Sequence, residues 1–391
     1  MRIAIVSECF LPVVNGVTNS VRRIAPHLGA SGHDVLIVAP GDGPPEHAGM
    51  PVVRLPAVDL PVVTSIPVGV PHRRMLTALR AFRPDVVHLA APFVVGSAGL
   101  AAARRVDAPT VAVYQTDVAG FAASYGLGLT ARAAWRWTCR LHAQAARTLA
   151  PSSWAIAELR ARGVPRVHRW ARGVDAARFT PRKRCTALRA RLAPHGEVLV
   201  GYVGRLAPEK HVHRLAALAG LPGVRLVVVG SGPSEARLRA LLPEAVFLGF
   251  RDGDDLARLY ASLDVFVHTG PAETFCQAVQ EALASGVPVV APDTGGPRDL
   301  VLPDRTGYLV GDDAALQDAV RRLLDPAVRA RFGATARRSV LRRTWSTVGD
   351  ELIAHYNGVL GEHHVTRTQN AAKRDVGVTT SAPGSIQTDV A

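Results

Sequence analysis

Short apolar runs alternate with longer amphipathic ones from the first residues: RIAIV at 2–6, DVLIVA at 34–39, DVVHLA at 85–90 and PTVAVY at 109–114. Such runs read as strands, and the helix-length segments between them predict a parallel sheet covered on both faces. The rhythm restarts after residue 185 with EVLVGYVG (197–204), VRLVVVG (224–230), AVFLG (245–249), DVFVH (264–268) and VPVVAP (287–292). The pattern therefore predicts two doubly wound α/β domains, residues 1–180 and 185–345. Between them VHRWARGVDAARFTPRKRC loses the periodicity, and its glycine, proline and basic residues place a linker around 176–190. WSTVGDELIAHYNGVLG reads as a last helix over 346–362 with Ser346 as N-cap, and the polar residues 363–391 read as a disordered tail.

Length agrees with that division, since 391 residues exceed one ordinary core. A hydrophobic content of 48% with 20% charged residues is that of a folded soluble protein. The uncharged run 86–103 is broken by His88, Pro92 and Gly96, so it reads as strand, loop and helix rather than a membrane span. MRIAIVSECF is too brief for a signal sequence and fits a first strand. Cysteines 9, 139, 185 and 276 show neither pairing nor metal spacing, which fits a reducing cytosol. The net charge of +14 favours polyanions, whether nucleic acid, an anionic membrane or a phosphorylated substrate. Almost all of it is arginine, with lysine only at 183, 210 and 373. No helix-turn-helix or aromatic RNA-binding motif accompanies the charge, so nucleic acid is not an expected partner.

The first chemical signal is DVFVHTGPAETFCQAVQEALASG, residues 264–286. A strand runs into a turn, and Thr274 with Gln277 matches a capping box, which predicts a helix starting at Thr274. The free N–H groups of Phe275 and Cys276, with the helix dipole, would then form an anion site suited to phosphate. Glu273 would lie on the loop side and Glu281 on the helix side, about 10–12 Å along. With a diphosphate between them, the two carboxylates would accept hydrogen bonds from the hexose and the ribose of a sugar nucleotide. The plainer reading is one glutamate in a capping turn and one solvated on a helix.

GYVGRLAPEKHVHRL (201–215) places Arg205 and Lys210 after a buried strand, at the end where parallel sheets bind ligands. A departing nucleoside diphosphate leaves charge that such cations stabilise, by about 3–4 kcal/mol for one good donor. A surface ion pair is the alternative. LPVVNGVTNSVRRIA (11–25) sets Gly16 in a turn after the first strand, where backbone either approaches a ligand or simply turns. Three strings carry less. In GSGPSE (230–235), Glu235 replaces the third glycine of a dinucleotide fingerprint and would repel pyrophosphate. RDGDD (251–255) contains an Asp-x-Asp pattern but reads as the cap of the next helix. The glycines of DTGGPRDLV (293–301) either approach a sugar or turn the chain. For basic surface, TARAAWRWTCRLHAQAARTL (130–149) aligns Arg132, Arg136 and Arg140 on one helix face near Trp135 and Trp137, and PHRRMLTALRAF (71–82) is similar. Both suit an anionic membrane or an ordinary solvated face.

Together these segments resemble the retaining glycosyltransferases of family 4 over residues 1–362. The Glu-x7-Glu pattern at Glu273 and Glu281, GRLAPEK at 204–210 and RGVDAARFTP at 172–181 carry the resemblance. SECFLPVVNGVTNSV, VYQTDVAGFAASYG and VHRWARGVD are most similar to actinobacterial GDP-mannose-dependent α-mannosyltransferases acting on glycolipids, with sulfoquinovosyl diacylglycerol synthases more distant. The resemblance implies a GT-B fold, two Rossmann-like domains facing across a cleft, with the last helix returning to the N-terminal domain. It implies an N-terminal acceptor domain and a C-terminal donor domain. Arg205 and Lys210 would hold the donor diphosphate, Glu273 the hexose, Glu281 the ribose, and the N–H groups of Phe275 and Cys276 the phosphate or sugar. Gly16 would lie at the cleft, and backbone near Gly249 to Arg251 would meet the base. Transfer would proceed by same-face attack, with neither divalent metal nor cofactor. Many relatives carry a histidine where this chain has Gln115, Thr116 and Asp117; Gln115 is expected at the sugar 6-hydroxyl and Asp117 at the acceptor. The expected partners are GDP-mannose, an anionic glycolipid and the inner face of the plasma membrane, reached peripherally from the cytoplasm. A UDP-sugar with a diacylglycerol or soluble acceptor is the alternative.

Overall fold

The computed structural model describes residues 1–60, 63–116 and 128–378. The first half builds an eight-stranded sheet in the order Val167–Arg169, Arg147–Ala150, Thr110–Val113, Val86–Ala90, Arg2–Ser7, Asp34–Pro40, Met50–Leu55, Glu46–His47. Every pairing is parallel except the last, between Glu46–His47 and Met50–Leu55. The second half builds a six-stranded, wholly parallel sheet in the order Val246–Gly249, Val224–Val229, Val198–Val203, Val265–Val267, Val289–Pro292, Gly307–Val310. Its chain order reverses between Val198–Val203 and Val265–Val267, the place where doubly wound sheets open a ligand crevice. The apolar runs seen in the sequence are these central strands, covered by helices on both faces, which is why they show no alternation.

The helix Trp345–Val378 returns to the first domain, as expected. Val348, Leu352, Tyr356 and Val359 join Ile3, Ile5, Val21 and Ile24 in one core cluster. The Tyr356 hydroxyl lies 2.8 Å from His88 Nδ1, and Trp170 Nε1 donates to the Val348 carbonyl at 2.9 Å. Two expectations change at this helix. Its cap is the Thr344 hydroxyl, which accepts from Thr347 N at 3.1 Å, rather than Ser346. The helix also runs past residue 362 to Val378, where a disordered tail was expected from 363; residues 379–391 lie outside the described part.

The chain crosses between domains twice, and the crossings touch. Val174 N donates to the Arg343 carbonyl at 2.9 Å. A Cβ on Gly173 would stand 2.7 Å from Trp345 N, so only glycine lets the two segments approach so closely. Val174 and Phe179 already pack in the second core, ahead of the boundary the sequence suggested at residue 180. A further bridge forms at the start of the helix Ser153–Ala161, where Asp299 of the second domain accepts from Ser153 N at 2.7 Å and pairs with Arg169 at 3.1 Å. A carboxylate at a helix N-terminus is favoured by the dipole.

Candidate active site

Strand ends build one face of the site. After Val198–Val203 the chain makes a short 3-10 turn, Pro208–Lys210, which turns Lys210 toward the loop that follows Val265–Val267. Thr269 Oγ1 donates to the Lys210 carbonyl at 2.7 Å and fixes the two loops together. Lys210 Nζ then donates to Glu273 Oε1 at 2.7 Å. His268 Nε2 stands 3.2 Å from the same oxygen, an ion-pair contact outside hydrogen-bond alignment. The His268 ring stacks nearly parallel on Tyr202, 6.3 Å away, and Tyr202 is anchored by donating to the Arg205 carbonyl at 3.1 Å.

Burial raises the Glu273 pKa, but Lys210 and then His268 outweigh it and hold the carboxyl well below the usual carboxylate range. Burial likewise opposes charge on Lys210 and on His268, and the acidic neighbours raise both. The result is a fixed carboxylate between two cations. Such a group accepts hydrogen bonds from hydroxyls while staying ionised. His268, Glu273 and Cys276 place potential metal-ligand atoms within 4.8 Å of one another. Lys210 already occupies Glu273 Oε1, so a dication there would meet an ammonium.

The expected helix start at Thr274 needs correction. The helix is Gln277–Ala284, and its N-cap is Cys276, in a left-handed conformation with φ 80° and no side-chain cap bond. No capping box forms, because the Thr274 hydroxyl donates instead to the Gln115 carbonyl of the first domain at 3.0 Å. Phe275 and Cys276 are buried at that turn, and among the described residues no backbone carbonyl accepts from their N–H groups. The glycines of DTGGPRDLV pack behind this loop. Gly296 N donates to the Glu273 carbonyl at 2.7 Å, and a Cβ on Gly296 would clash with Phe275 backbone at 2.2 Å. They shape the loop from behind.

Glu281 is half-buried on the helix, next to buried Tyr260. Burial raises its pKa to about 8, against the pull of Tyr260 and then of Arg23 and Arg178. The unfolded chain would ionise it near the ordinary 4.5. The folded state therefore holds a proton that the unfolded state loses, and the associated stability is full below that value and lost as pH rises through about 8. Glu281→Gln, which mimics the neutral acid, should flatten this decline in melting temperature between pH 5 and 8.5; unchanged curvature would show that Glu281 does not titrate there.

Gly16 opens the helix Gly16–Ala30, whose N-cap Asn15 accepts from Val17 N and Thr18 N. A Cβ on Gly16 would stand 3.0 Å from Arg172 Nη1. Arg172 is buried and donates to Gln115 Oε1 at 2.8 Å. The Arg172 carbonyl accepts from Gln280 Nε2 at 3.0 Å, and the Gly173 carbonyl accepts from Gln277 Nε2 at 3.1 Å. These bonds bring Gly16 and Gln115 of the first domain against the Glu273 loop and its helix. Arg205 is more exposed, with Glu209 3.9 Å away. Arg251 is exposed and donates to the Phe250 carbonyl. Asp117 lies outside the described residues.

RDGDD spans the N-cap and first turn of the helix Gly253–Ser262, but Asp252 makes no side-chain cap bond. Asp254 pairs with Lys183 at 2.8 Å and Asp255 with Arg258 at 2.8 Å. In GSGPSE the strand-to-helix turn is observed, with a Cβ on Gly230 blocked by the Gly204 carbonyl at 1.9 Å. Sequence reasoning missed His268, Tyr202 and Arg172. His268 ends a parallel strand and Arg172 opens RGVD, so each carried a positional signal.

Two family models match, "Glycosyltransferase Family 4" over residues 14–178 and "Glycosyl transferases group 1" over 186–339. The chain is 56% identical over 381 residues to a "GDP-mannose-dependent alpha-mannosyltransferase" of Mycobacterium tuberculosis, covering 95% of this chain and 99% of that one. It is 57% identical to a protein of the same description from Mycolicibacterium smegmatis, covering 92% and 98%. In structure it is similar to Anabaena HepE, solved with UDP and glucose, at a TM-score of 0.74 and 20% identity, covering 91% and 99%.

Proposed function

This chain belongs to glycosyltransferase family 4 and has the GT-B fold, and on that premise we propose that it moves mannose from GDP-mannose to a hydroxyl of an anionic membrane glycolipid. It is a GDP-mannose-dependent α-mannosyltransferase, in keeping with its relatives. The observation that carries the chemistry is the Lys210–Glu273 pair at 2.7 Å, with a hydrogen-bond-accepting carboxylate and a cation facing one cleft.

In this reading Glu273 accepts from hexose hydroxyls, and Arg205 and Lys210 stabilise the diphosphate as the bond to mannose breaks. The buried N–H groups of Phe275 and Cys276 face the same phosphates, and Glu281 meets the ribose. The base lies against backbone from Gly249 to Arg251. The donor's mannose is α-linked and the product is an α-mannoside, so configuration is retained. Same-face attack suits that outcome, with a leaving phosphate oxygen taking the proton of the acceptor hydroxyl. Asp117 is assigned to orienting that hydroxyl. In this reading no divalent metal is required, because protein cations serve the leaving group.

The membrane assignment rests on two helices. Arg132, Arg136 and Arg140 are exposed on Gly128–Gln144, with Trp137 37% exposed among them. Arg73, Arg74 and Arg80 are exposed on Arg73–Phe82. Each cation near an anionic surface adds about 1 kcal/mol of attraction. Among the described residues no helix is long and apolar enough to cross a membrane, so attachment would be peripheral. The test is mass spectrometry of lipid after incubation with GDP-mannose and vesicles carrying glucuronosyl diacylglycerol or a phosphatidylinositol mannoside. A hexose added to either lipid is expected, with loss of vesicle binding when Arg132, Arg136 and Arg140 are all changed to Glu. Transfer confined to soluble acceptors would overturn the lipid assignment.

A further inference from the structure

The buried Arg172 guanidinium is poorly matched by its surroundings. It is 7% exposed, its Nη2 donates to Gln115 Oε1 at 2.8 Å, and among the described residues its Nε has no hydrogen-bond partner. Among the described residues no carboxylate forms an ion pair with it; Glu273 acts on it only through space. Burial lowers its pKa to about 10 against the pull of Glu273, so it stays charged at neutral pH. A buried cation without a matching anion is costly to keep in the folded state. Groups perturbed in this way concentrate where ligands bind.

Gln115 extends the pattern. Arginine has no acceptor, so the amide atom facing Arg172 must be oxygen. That turns Gln115 Nε2 away from Arg172, and this nitrogen is also buried with no hydrogen-bond partner among the described residues. The two side chains together present only donors. Both are held from the second domain, Arg172 through its carbonyl by Gln280 at 3.0 Å and Gln115 through its carbonyl by Thr274 at 3.0 Å. Gly16 packs against the same guanidinium, since a Cβ there would stand 3.0 Å from Arg172 Nη1.

We propose that Arg172 and Gln115 form a donor-only subsite that grips an oxygen of the donor's diphosphate, adding a third cation to Arg205 and Lys210. The inference rests on the sugar-nucleotide reading above. It divides the cleft by hydrogen-bond chemistry: Glu273, which only accepts, takes hydroxyls, and the Arg172–Gln115 pair, which only donates, takes phosphoryl oxygen. Lys210 is already matched by Glu273 at 2.7 Å, and the carboxylate paired with Arg205 is 3.9 Å away. Arg172 is the buried cation left for the ligand. Gln115, assigned by resemblance to a sugar hydroxyl, moves to the phosphate.

Calorimetric titration of GDP, GMP and guanosine into wild type, Arg172→Gln and Arg172→Lys tests this, with melting temperatures of each unliganded protein. Arg172→Gln is expected to weaken GDP at least tenfold, GMP less, and guanosine less than twofold. Its unliganded melting temperature should not fall, because the change removes an unmatched buried charge. Arg172→Lys keeps the charge without the fork and should bind GDP with intermediate affinity. GDP affinity within twofold of wild type in both variants, with a lowered unliganded melting temperature, would make Arg172 a structural residue and overturn the subsite. A wild-type protein that ignores GDP would overturn the donor reading itself, and the subsite with it.

Discussion

Lys210→Ala should lower turnover with GDP-mannose by about two to three orders of magnitude, the usual loss when one donor to a developing charge is removed. The ammonium serves two groups at once. It faces the leaving diphosphate in the proposed reaction, and it is the larger of the forces that keep Glu273 ionised against burial. Without it His268 is the remaining ion-pair partner of the carboxyl among the described residues, and its pKa climbs. Residual activity should therefore fall earlier than that of wild type as pH is lowered. Lys210→Arg, which keeps the charge, should recover part of kcat. Steady-state kcat and KM across pH 5.5 to 8.5 make the comparison, and a loss below fivefold in the alanine variant would remove Lys210 from the reaction.

Glu273→Gln should lower kcat/KM for GDP-mannose by at least about a hundredfold, near the loss of two strong hydrogen bonds to charge, yet leave GDP bound as tightly or more tightly. The sign of the second effect follows from charge. Glutamine keeps the shape but removes a negative group beside the diphosphate, and it frees Lys210, now 2.7 Å from a carboxylate, to turn to phosphate. His268, raised by its acidic neighbours, should move back toward neutrality. Measured GDP affinity that falls in step with kcat/KM would mean that Glu273 organises the nucleotide site rather than the sugar.

Much of the fold was written in the apolar runs. Strands such as Asp34–Pro40 and Val224–Val229 are buried on both sides over most of their length, so their sequence is a solid apolar block. Arg147–Ala150, Gly307–Val310 and Val167–Arg169 escaped notice because three or four residues, some of them polar, make no such block. The start of the Glu281 helix was misplaced for a long-range reason. A Thr-x-x-Gln pattern favours a capping box only when the hydroxyl is free, and Thr274 is drawn to a carbonyl 159 positions earlier in the chain. Cys276 then takes a positive φ that glycine would adopt more readily.

The site was legible in part for similar reasons. Lys210 and Glu273 stood out because strand ends of parallel sheets face the crevice, and the structure joins them directly. His268 and Tyr202 were hidden, since their value lies in stacking across two strands rather than in spacing along one. Arg172 sits in a crossing segment without periodicity, and only the folded chain brings it against Gln115 and Gly16.

In the proposed reaction this cleft binds GDP-mannose through protein cations. Thermal stabilisation by GDP, GDP-mannose, UDP and UDP-glucose, each with a metal chelator present, tests it most directly. A ligand at about a hundred times its dissociation constant adds about 2.7 kcal/mol to the folded state, a readily measured shift. GDP and GDP-mannose should stabilise the protein to an extent that the chelator leaves intact, and the uridine compounds should do little. Selective stabilisation by the uridine compounds, or stabilisation by GDP only when divalent metal is supplied, would contradict it.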